Sequence, residues 1–314
     1  MRVTVPASTA NLGPGFDVLG LALDLVNTFD VWQVGNELRI EVSGEGAGTV
    51  PVDQTNLFFR AMQRFFSIAG YEPAGLLIRE QNRIPLARGL GSSASTIVGA
   101  LLAARYLSGY RFDDERLLDL AGSIEGHPDN PAAALRGGLQ LVLQDDGGRL
   151  LARRLAWPGH LAAALFVPDL LVSTDAARQA LPDGHPRADV VHNLGHLALL
   201  VSALQEGRLE DLTVATQDRL HQPYRAGLVP GLIEILAAAT AAGANGAFLS
   251  GAGPTILALH DAEAAGVGQR IADTMEHAAA GFGLKGRTMV LAIREEGAQR
   301  VPLPADPSQV PLVG

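Results

Sequence analysis

The strongest chemical signal in the sequence lies at residues 85–95, which read Pro-Leu-Ala-Arg-Gly-Leu-Gly-Ser-Ser-Ala-Ser. The two glycines permit a tight backbone, and the serines open a helix whose first N–H groups lack partners within the helix. Such N–H groups favour an anion, so the segment is predicted to bind phosphate. It is neither a Walker loop, because no Gly-Lys-Ser/Thr follows, nor a dinucleotide fingerprint, because the third glycine is missing. A capped helix after an ordinary turn would also explain the pattern.

A second polar cluster lies at residues 125–131, which read Glu-Gly-His-Pro-Asp-Asn-Pro in a predicted turn between two helices. Asp129 or Asn130 could simply cap a helix that begins at Pro131. Three chemically capable side chains beside a phosphate loop are harder to explain as caps alone. A carboxylate here could hold Mg²⁺, which prefers oxygen ligands and substrate phosphates.

Two more segments are rich in glycine and small polar residues. Residues 250–255 read Ser-Gly-Ala-Gly-Pro-Thr between two apolar strands, which indicates either a tight bend or a wall that another loop or a nucleotide approaches closely. Residues 6–17 read Pro-Ala-Ser-Thr-Ala-Asn-Leu-Gly-Pro-Gly-Phe-Asp after the first predicted strand. In that stretch Asn11 and Asp17 are either turn residues or residues that face a ligand.

Apolar periodicity predicts the elements that position these segments. A helix over residues 54–69, with Asp53 as its cap, buries an apolar stripe, and Asp113 caps a later helix that ends near Glu125. The other elements predicted in the first half are strands at 2–6, 16–34, 38–42 and 76–79, a helix at 93–107, and a hairpin of 138–143 with 149–155.

The second half is expected to begin near Pro158. Predicted strands and helices are mixed there without regular alternation, which favours an α+β fold over a doubly wound sheet. A tail that contains several prolines is predicted to be poorly ordered from residue 301 to residue 314. The predicted elements are strands at 161–167, 246–249, 255–259 and 288–293, and helices near 175–180, 188–205, 228–242 and 262–279.

Composition limits the class of protein. A chain of 314 residues is too long for one ordinary core and fits two domains. With 47% hydrophobic and 18% charged residues it is globular, and its net charge of −9 argues against a nucleic-acid partner or a basic membrane-surface protein. The absence of cysteine excludes disulfides, cysteine-ligated metals and thiol catalysis.

The sequence predicts a cytoplasmic location. Its first residues lack the basic and apolar regions of a signal peptide. The longest uncharged stretch, residues 235–259, is interrupted by glycine-rich turns, so a helix, a strand, a loop and a second strand explain it better than a membrane span.

The order and spelling of these segments resemble the GHMP small-molecule kinases, and among them the branch that phosphorylates L-homoserine. The Pro-x-x-x-Gly-Leu-Gly-Ser-Ser-Ala loop is specific to the whole family. Four other segments are specific to that branch, and the resemblance extends from residue 3 to about residue 259. These segments are residues 8–17, 127–130, 173–178 (Ser-Thr-Asp-Ala-Ala-Arg) and 218–225 (Asp-Arg-Leu-His-Gln-Pro-Tyr-Arg).

This resemblance implies a two-domain GHMP kinase fold of the α+β class with a deep cleft between the domains. Residues 1–157 would form a ribosomal-protein-like domain with an unusual left-handed crossover, and residues 158–314 a ferredoxin-like domain. The implied reaction transfers the γ-phosphoryl group of ATP to the side-chain hydroxyl of L-homoserine, on the path to threonine. The family also implies a homodimer.

The resemblance further implies how ATP and Mg²⁺ bind. Ser93 and Glu125 should hold Mg²⁺, Asn56 should contact the adenine side, and Pro254 with its glycines should support the phosphate loop. The ATP-binding residues implied by the family are Asn56, Pro85, Arg88, Gly89, Leu90, Gly91, Ser92, Ser93, Ala94 and Ser95.

Charge complementarity extends the expectation to the acceptor. Homoserine carries a carboxylate, which suits the guanidinium forks of Arg178 and Arg225, and an ammonium, which suits Asp17 and Asn11. Thr174 would add a hydrogen bond. Each arginine taken alone would more often form a surface ion pair. The residues expected beside the hydroxyl and the transferring phosphoryl group are His127, Asp129 and Asn130.

Two features depart from relatives in the family. Some of those relatives use an aspartate–lysine pair at the acceptor hydroxyl, but Lys285, the only lysine here, lies far from every motif. Asp129 is therefore a catalytic candidate, with direct proton transfer to a phosphate oxygen as the alternative. Pro131 stands where relatives more often carry an aliphatic residue, and a proline at the first position of a helix should be tolerated.

Three rival functions stay open at this point. The chain could phosphorylate mevalonate, a sugar or a related polyol, acceptors that would not need Asp17 for an ammonium group. It could be a non-catalytic homologue, although such a protein would be expected to have lost Ser93 or Glu125. A dehydrogenase is disfavoured, because the dinucleotide fingerprint is absent.

Overall fold

The computed structural model describes residues 1–303 and residue 307, and the described strands form two sheets. The predicted disorder of residues 301–314 falls mostly outside the described residues. The first sheet contains β1 (Arg2–Asn11), β2 (Gly15–Trp32), β3 (Leu38–Gly44), β4 (Leu76–Asn82), β5 (Leu139–Gln144), β6 (Leu150–Leu155) and β11 (Gln299–Val301). Its helices are α1 (Leu57–Ala69), α2 (Ser92–Ser108), α3 (Asp114–Glu125) and α4 (Asp129–Arg136).

The strand order of the first sheet is β11-β1-β2-β4-β3, with β5 paired to β2 and β6 paired to β5. The β3–β4 pair, which α1 connects, is parallel, and the other pairs are antiparallel. Because β2 has 18 residues, one part of it pairs with β4 and another part with β5. The left-handed sense expected for the crossover stays a prediction.

Strand β1 runs five residues past its predicted end at Pro6. Its register with β2 shifts between Pro6 and Ala7 and again between Ala10 and Asn11. Such irregularities bend a strand and increase its twist, so a pattern of strict alternation ends before the strand does. The extension matters for function, since it carries Asn11 to the cleft between the two sheets.

The predicted helix at 54–69 begins three residues later, at Leu57. Its cap is Asn56, whose side chain accepts a hydrogen bond from the Phe59 N–H at 3.0 Å, whereas Asp53 accepts one from Thr55 instead. The predicted apolar stripe is buried at Phe58, Ala61, Met62, Phe65 and Phe66, and the helix packs against α2.

The second sheet has the strand order β10-β7-β9-β8 and is antiparallel throughout its described pairs. This is the β-α-β-β-α-β arrangement of a ferredoxin-like domain, so both the α+β class and this part of the predicted fold are confirmed. The strands are β7 (Leu161–Pro168), β8 (Gly246–Leu249), β9 (Ile256–Asp261) and β10 (Gly286–Leu291). The helices are α5 (Thr174–Gln179), α6 (Arg187–Glu206), α7 (Leu212–Ala215), α8 (Gln222–Arg225), α9 (Leu232–Ala241) and α10 (Val267–Ala280).

Strand β11 follows the domain boundary expected between residues 157 and 158, but it belongs to the sheet of the first domain. It pairs with β1, so the last described segment of the chain belongs to the first sheet. The segment that precedes β11 is also hydrogen-bonded to the first domain. The Gly138 N–H donates to the Arg294 carbonyl, and the Ala298 N–H donates to the Ala134 carbonyl. The division of the chain into 1–157 and 158–314 remains a prediction, with this returning segment as an exception to it. Among the described helices, none combines the length and the apolar character that a membrane span requires.

Candidate active site

A cleft of about 310 Å³ opens between the two sheets and collects most of the predicted site residues. The phosphate loop, the turn after α3, the end of β1, the start of α5, Arg225 and the 251–253 loop line it. The predicted residues among the lining are Asn11, Asp17, Arg88, Gly89, Leu90, Gly91, Ser92, Ser93, Glu125, His127, Asp129, Asn130, Thr174, Arg178 and Arg225.

Four predicted ATP-binding residues do not line this cleft. Ala94, Ser95 and Pro85 are buried behind the loop, and Ser95 accepts a hydrogen bond from Asn27. Asn56 is 1% exposed, because its amide caps α1 and donates to Glu80 and to the Pro51 carbonyl. The Asn56 side chain is therefore bonded within the fold, and its contact with the adenine stays a prediction.

The phosphate loop ends at an uncapped helix start. Gly91 is the N-cap of α2 with φ +66°, and no side chain among the described residues caps the first N–H groups of that helix. A Cβ at Gly91 would overlap the Ser8 hydroxyl. The loop thus needs glycine at this point, and the free N–H groups of α2 face the cleft as an anion site requires.

The 250–255 segment forms the wall behind the phosphate loop. The Ser250 Oγ lies 2.6 Å from the Gly89 carbonyl oxygen and 2.7 Å from the Thr9 Oγ1. The Thr255 N–H donates to the Arg88 carbonyl at 3.2 Å. These contacts join the first domain to the second at the loop itself.

Gly89→Ala should disturb this contact strongly. Gly89 has φ +75°, and a Cβ there would overlap the Ser250 carbonyl oxygen. Gly48→Ala is the matched control, since Gly48 has φ +79° but a Cβ added there would meet no described atom within 4 Å. We expect Gly89→Ala to cost about 1–3 kcal/mol more unfolding free energy than the control, because overpacking adds to the shared backbone strain. Denaturant unfolding and the KM for ATP measure the effect, and equal losses in both variants would contradict it.

Ser93 and Glu125 form the pair of oxygen donors expected for Mg²⁺. The Ser93 hydroxyl donates to Glu125 Oε2 at 2.7 Å, at the start of α2. Burial raises the pKa of Glu125, against the lowering effects of Ser93 and His127. A hydroxyl and a carboxylate beside a phosphate site fit Mg²⁺, which completes its shell with water and phosphate oxygens. Across residues 1–303 and 307, no cluster of three or more histidine or acidic side chains forms a separate metal site.

The turn after α3 orders His127 against Asp129. The His127 Nδ1 lies 2.7 Å from Asp129 Oδ1, which also accepts the Asn130 N–H at 2.7 Å. Burial acts to lower the pKa of His127, but Asp129 and the nearby carboxylates outweigh it and raise that pKa. The sequence predicted that this helix begins at Pro131. Helix α4 begins at Asp129 instead, so Pro131 is its third residue.

Asp17 and Arg178 pair with each other, which the sequence did not indicate. Both Asp17 oxygens accept from the Arg178 guanidinium at 3.0 Å. Burial acts to lower the pKa of Arg178, but this pairing raises it. Asp17 also has φ +58°, a conformation that costs energy in a residue with a Cβ. The two groups expected at opposite ends of a zwitterion therefore neutralise one another across the cleft.

Asn11 is also committed to the protein. Its amide donates to the Gly251 carbonyl at 3.0 Å and accepts the Asp17 N–H at 3.0 Å. The side chain is 3% exposed. Asn11 therefore orients Asp17, and its contact with a ligand ammonium stays a prediction. Thr174, by contrast, is exposed at the start of α5 and faces the cleft.

Arg225 is a deeply enclosed charge of the cleft, at 3% exposure. It donates to the Ala177 carbonyl at 3.2 Å, to the Gly251 carbonyl at 3.0 Å and to the His221 Nδ1 at 3.2 Å. Burial lowers the pKa of Arg225 to about 10, so the side chain stays charged at neutral pH.

Two residues of this region were not assigned a role from the sequence. The Phe16 ring stacks on His221 at 5.3 Å between centroids, and the guanidinium carbons of Arg225 and Arg178 lie 5.3 Å and 5.9 Å from the Phe16 centroid. The spacing of His221 and Arg225, four positions apart, could have indicated from the sequence that these two side chains are in contact. Residues so spaced on a helical turn face the same side.

Known proteins share these segments and this architecture. The chain matches the families GHMP kinases N terminal domain over residues 56–138 and GHMP kinases C terminal over residues 200–277. It is 44% identical over 305 residues to the homoserine kinase of Caldanaerobacter subterraneus, which spans 97% of this chain and 96% of that protein. It is 41% identical over 295 residues to the homoserine kinase of Thermosynechococcus vestitus, covering 94% of this chain and 97% of that one.

A solved structure agrees with these sequence matches. The crystal structure of homoserine kinase from Cytophaga hutchinsonii superposes with a TM-score of 0.84 at 30% identity, covering 95% of this chain and 96% of that one. Similarity of this extent leaves no large segment of either chain unaccounted for. The protein is thus a kinase, and it belongs to the homoserine kinase family of the GHMP kinases.

Proposed function

We propose that this enzyme transfers the γ-phosphoryl group of ATP to the side-chain hydroxyl of L-homoserine, as the family implies. The observation that carries the proposal is the distribution of charge along the cleft. One end presents Arg225, Arg178 and Asp17, and the other presents the free N–H groups of α2. An acceptor with both a carboxylate and an ammonium complements the first end, and a polyphosphate complements the second.

The triphosphate is proposed to lie along the loop from Arg88 to Ser93. The glycines let its backbone approach the phosphates, and the α2 N–H groups stabilise their charge. Ser93 and Glu125 would hold Mg²⁺, which neutralises phosphate charge when bound. Ser250 keeps the loop against the second domain through the Gly89 carbonyl.

The acceptor is proposed to bind beside α5 and α8. The Arg225 Nη2 makes no hydrogen bond within the described residues, so it is available for the carboxylate of the substrate. Arg178 would turn from Asp17 to the same carboxylate, and the freed Asp17 would receive the ammonium. The substrate thereby replaces an ion pair that the protein makes with itself.

Asp129 is proposed to face the reacting hydroxyl. Its Oδ1 is occupied by His127 and the Asn130 N–H, whereas its Oδ2 has no hydrogen-bond partner among the described residues. That oxygen can orient the hydroxyl and accept its proton, and transfer of the proton to a phosphate oxygen is the alternative. A loose phosphoryl-transfer transition state needs alignment more than a strong base, which either route satisfies.

The experiment that tests the proposal is ADP release from Mg-ATP with a panel of acceptors. L-Homoserine, D-homoserine, L-serine, mevalonate and galactose separate the zwitterion pocket from a polyol pocket. Turnover restricted to L-homoserine supports the assignments of Asp17, Arg178 and Arg225. Turnover on mevalonate or galactose would discard them, and no turnover on any acceptor would favour a non-catalytic homologue.

A homodimer in the cytoplasm is also proposed: the family implies the homodimer, and the location stays the prediction made from the sequence. Sedimentation equilibrium gives the mass directly. A particle of 32.8 kDa would be the monomer and would contradict the dimer.

A further inference from the structure

We propose that His221 is a positioning residue of the acceptor site, which joins Arg225 to the 11–17 loop through a neutral imidazole that carries its proton on Nε2. This inference rests on the proposed function, because it assigns to Arg225 the carboxylate of the substrate. It concerns a residue whose ring lies behind the cleft and does not line it.

The partners of the imidazole determine its tautomer. The Nε2 lies 2.8 Å from the Gly13 carbonyl oxygen, and the Nδ1 lies 3.2 Å from the Arg225 Nη1. A carbonyl oxygen can only accept and a guanidinium can only donate. Both contacts are hydrogen bonds only when Nε2 carries the proton and Nδ1 presents its lone pair.

The surroundings of His221 are consistent with a neutral ring. The side chain is fully buried, and burial lowers its pKa, an effect that Arg225 reinforces and Asp218 opposes. The Asp218 Oδ2 is 3.5 Å from Nε2, but the Asp218 carboxylate already accepts the N–H groups of residues 220, 221 and 222. Asp218 therefore fixes the start of α8 and leaves the Gly13 carbonyl as the near partner of Nε2.

On one side the ring sets the direction of Arg225. With Nη1 directed to His221 and Gly251 and Nε directed to Ala177, the Nη2 group remains for the cleft. The Phe16 ring stacks on the face of the His221 imidazole. The guanidinium is thus oriented before a substrate arrives, which reduces the entropy lost on binding.

Through Nε2 the ring is hydrogen-bonded to the 11–17 loop, whose backbone is strained. Asn11, Leu12 and Asp17 all have positive φ, and Gly13 lies so close to the Thr216 carbonyl that a Cβ would overlap it. Such backbone persists only where surrounding contacts determine it. His221 is one of those contacts, so the same imidazole positions the loop that carries Asp17 and the helix that carries Arg225.

Two isosteric variants separate the two nitrogens. His221→Asn places an amide oxygen near Nδ1 and keeps an acceptor for Arg225, whereas His221→Gln places an amide nitrogen near Nε2 and keeps a donor for Gly13. We expect His221→Gln to raise the KM for L-homoserine about tenfold, the loss expected for one buried hydrogen bond, with the KM for ATP unchanged. His221→Asn should raise the KM for L-homoserine less, by about threefold, because it keeps the bond to Arg225 and loses only the bond to the 11–17 loop.

A merely structural histidine would behave differently. It would raise both KM values together, or change neither, and would show no difference between the asparagine and glutamine variants. Either outcome overturns the inference. A wild-type enzyme that does not phosphorylate L-homoserine at all would contradict the proposed function. That result is distinct from the two outcomes above, which contradict only the role of His221.

A second measurement needs neither substrate nor folded variants. Imidazole ¹⁵N chemical shifts of the wild-type enzyme at neutral pH report the protonation of each ring nitrogen. We expect a protonated Nε2 and an unprotonated Nδ1 for His221. A protonated Nδ1, in a neutral or a charged ring, would overturn the assignment.

Discussion

Replacing Glu125 by glutamine should lower the turnover of L-homoserine by about a hundredfold, because it removes the one charged ligand proposed for Mg²⁺. The substitution keeps the shape of the side chain, and a neutral amide can still accept from Ser93, which lies 2.7 Å from the carboxylate in the wild type. The fold should therefore survive. The measurement is turnover against Mg²⁺ concentration, in which the half-saturating Mg²⁺ should rise steeply.

Glu80→Gln is the matched control for this experiment. Glu80 is also a buried carboxylate whose pKa is raised by burial, but it lies on β4 and bonds Asn56 outside the cleft. Its variant should keep the Mg²⁺ dependence of the wild type. Ser93→Ala should lower turnover in the same direction as Glu125→Gln, by less, since a hydroxyl is a weaker ligand. An unchanged Mg²⁺ dependence in Glu125→Gln would remove Glu125 from the metal site.

Arg225→Lys should raise the KM for L-homoserine by about ten- to a hundredfold and leave the KM for ATP nearly unchanged. The guanidinium makes three bonds to protein acceptors and still has Nη2 for the substrate. An ammonium has three donors at one point and cannot reach the acceptors at Ala177, His221 and Gly251 together with a carboxylate. A lost charge-assisted bond of about 1.5–3 kcal/mol gives the stated range.

Arg219→Lys provides the control within the same segment. Arg219 is half exposed and pairs with Asp189 at 3.4 Å, an interaction that contributes little to stability. Steady-state kinetics with each substrate varied in turn should show wild-type constants for Arg219→Lys. Equal losses in the two KM values for Arg225→Lys would mean that Arg225 supports the cleft in general and does not recognise the acceptor.

The phosphate loop was predictable from sequence because its chemistry is local. Gly91, Ser92 and Ser93 follow one another, and a helix start exposes N–H groups whatever the rest of the chain does. The Asp17–Arg178 pair was not predictable in this way. Its partners are 161 residues apart, and each was assigned to the substrate from its charge and from the family resemblance. Local spacing cannot show that two charged groups reach one another across a cleft.

Helix ends show the same limit on a smaller scale. Asp53 and Asn56 both precede the apolar stripe of α1, and both are good capping residues. The structure uses Asn56 because its amide also reaches Glu80 on β4, a contact between residues 24 positions apart. Strand β11 was missed because its three residues, Gln299, Arg300 and Val301, are mostly polar and show no pattern until β1 pairs with them.

The return of β11 to the first sheet has a consequence for biosynthesis. During translation β1 leaves the ribosome early, yet the outer edge of its residues 2–4 has no partner strand until residues 299–301 emerge. An open edge offers unpaired N–H and C=O groups to other nascent chains, and edges of that kind promote aggregation. The first domain is therefore synthesised first, but its sheet is complete only when the end of the chain has emerged. A fragment ending at residue 157 would lack β11, the strand that pairs with the outer edge of β1.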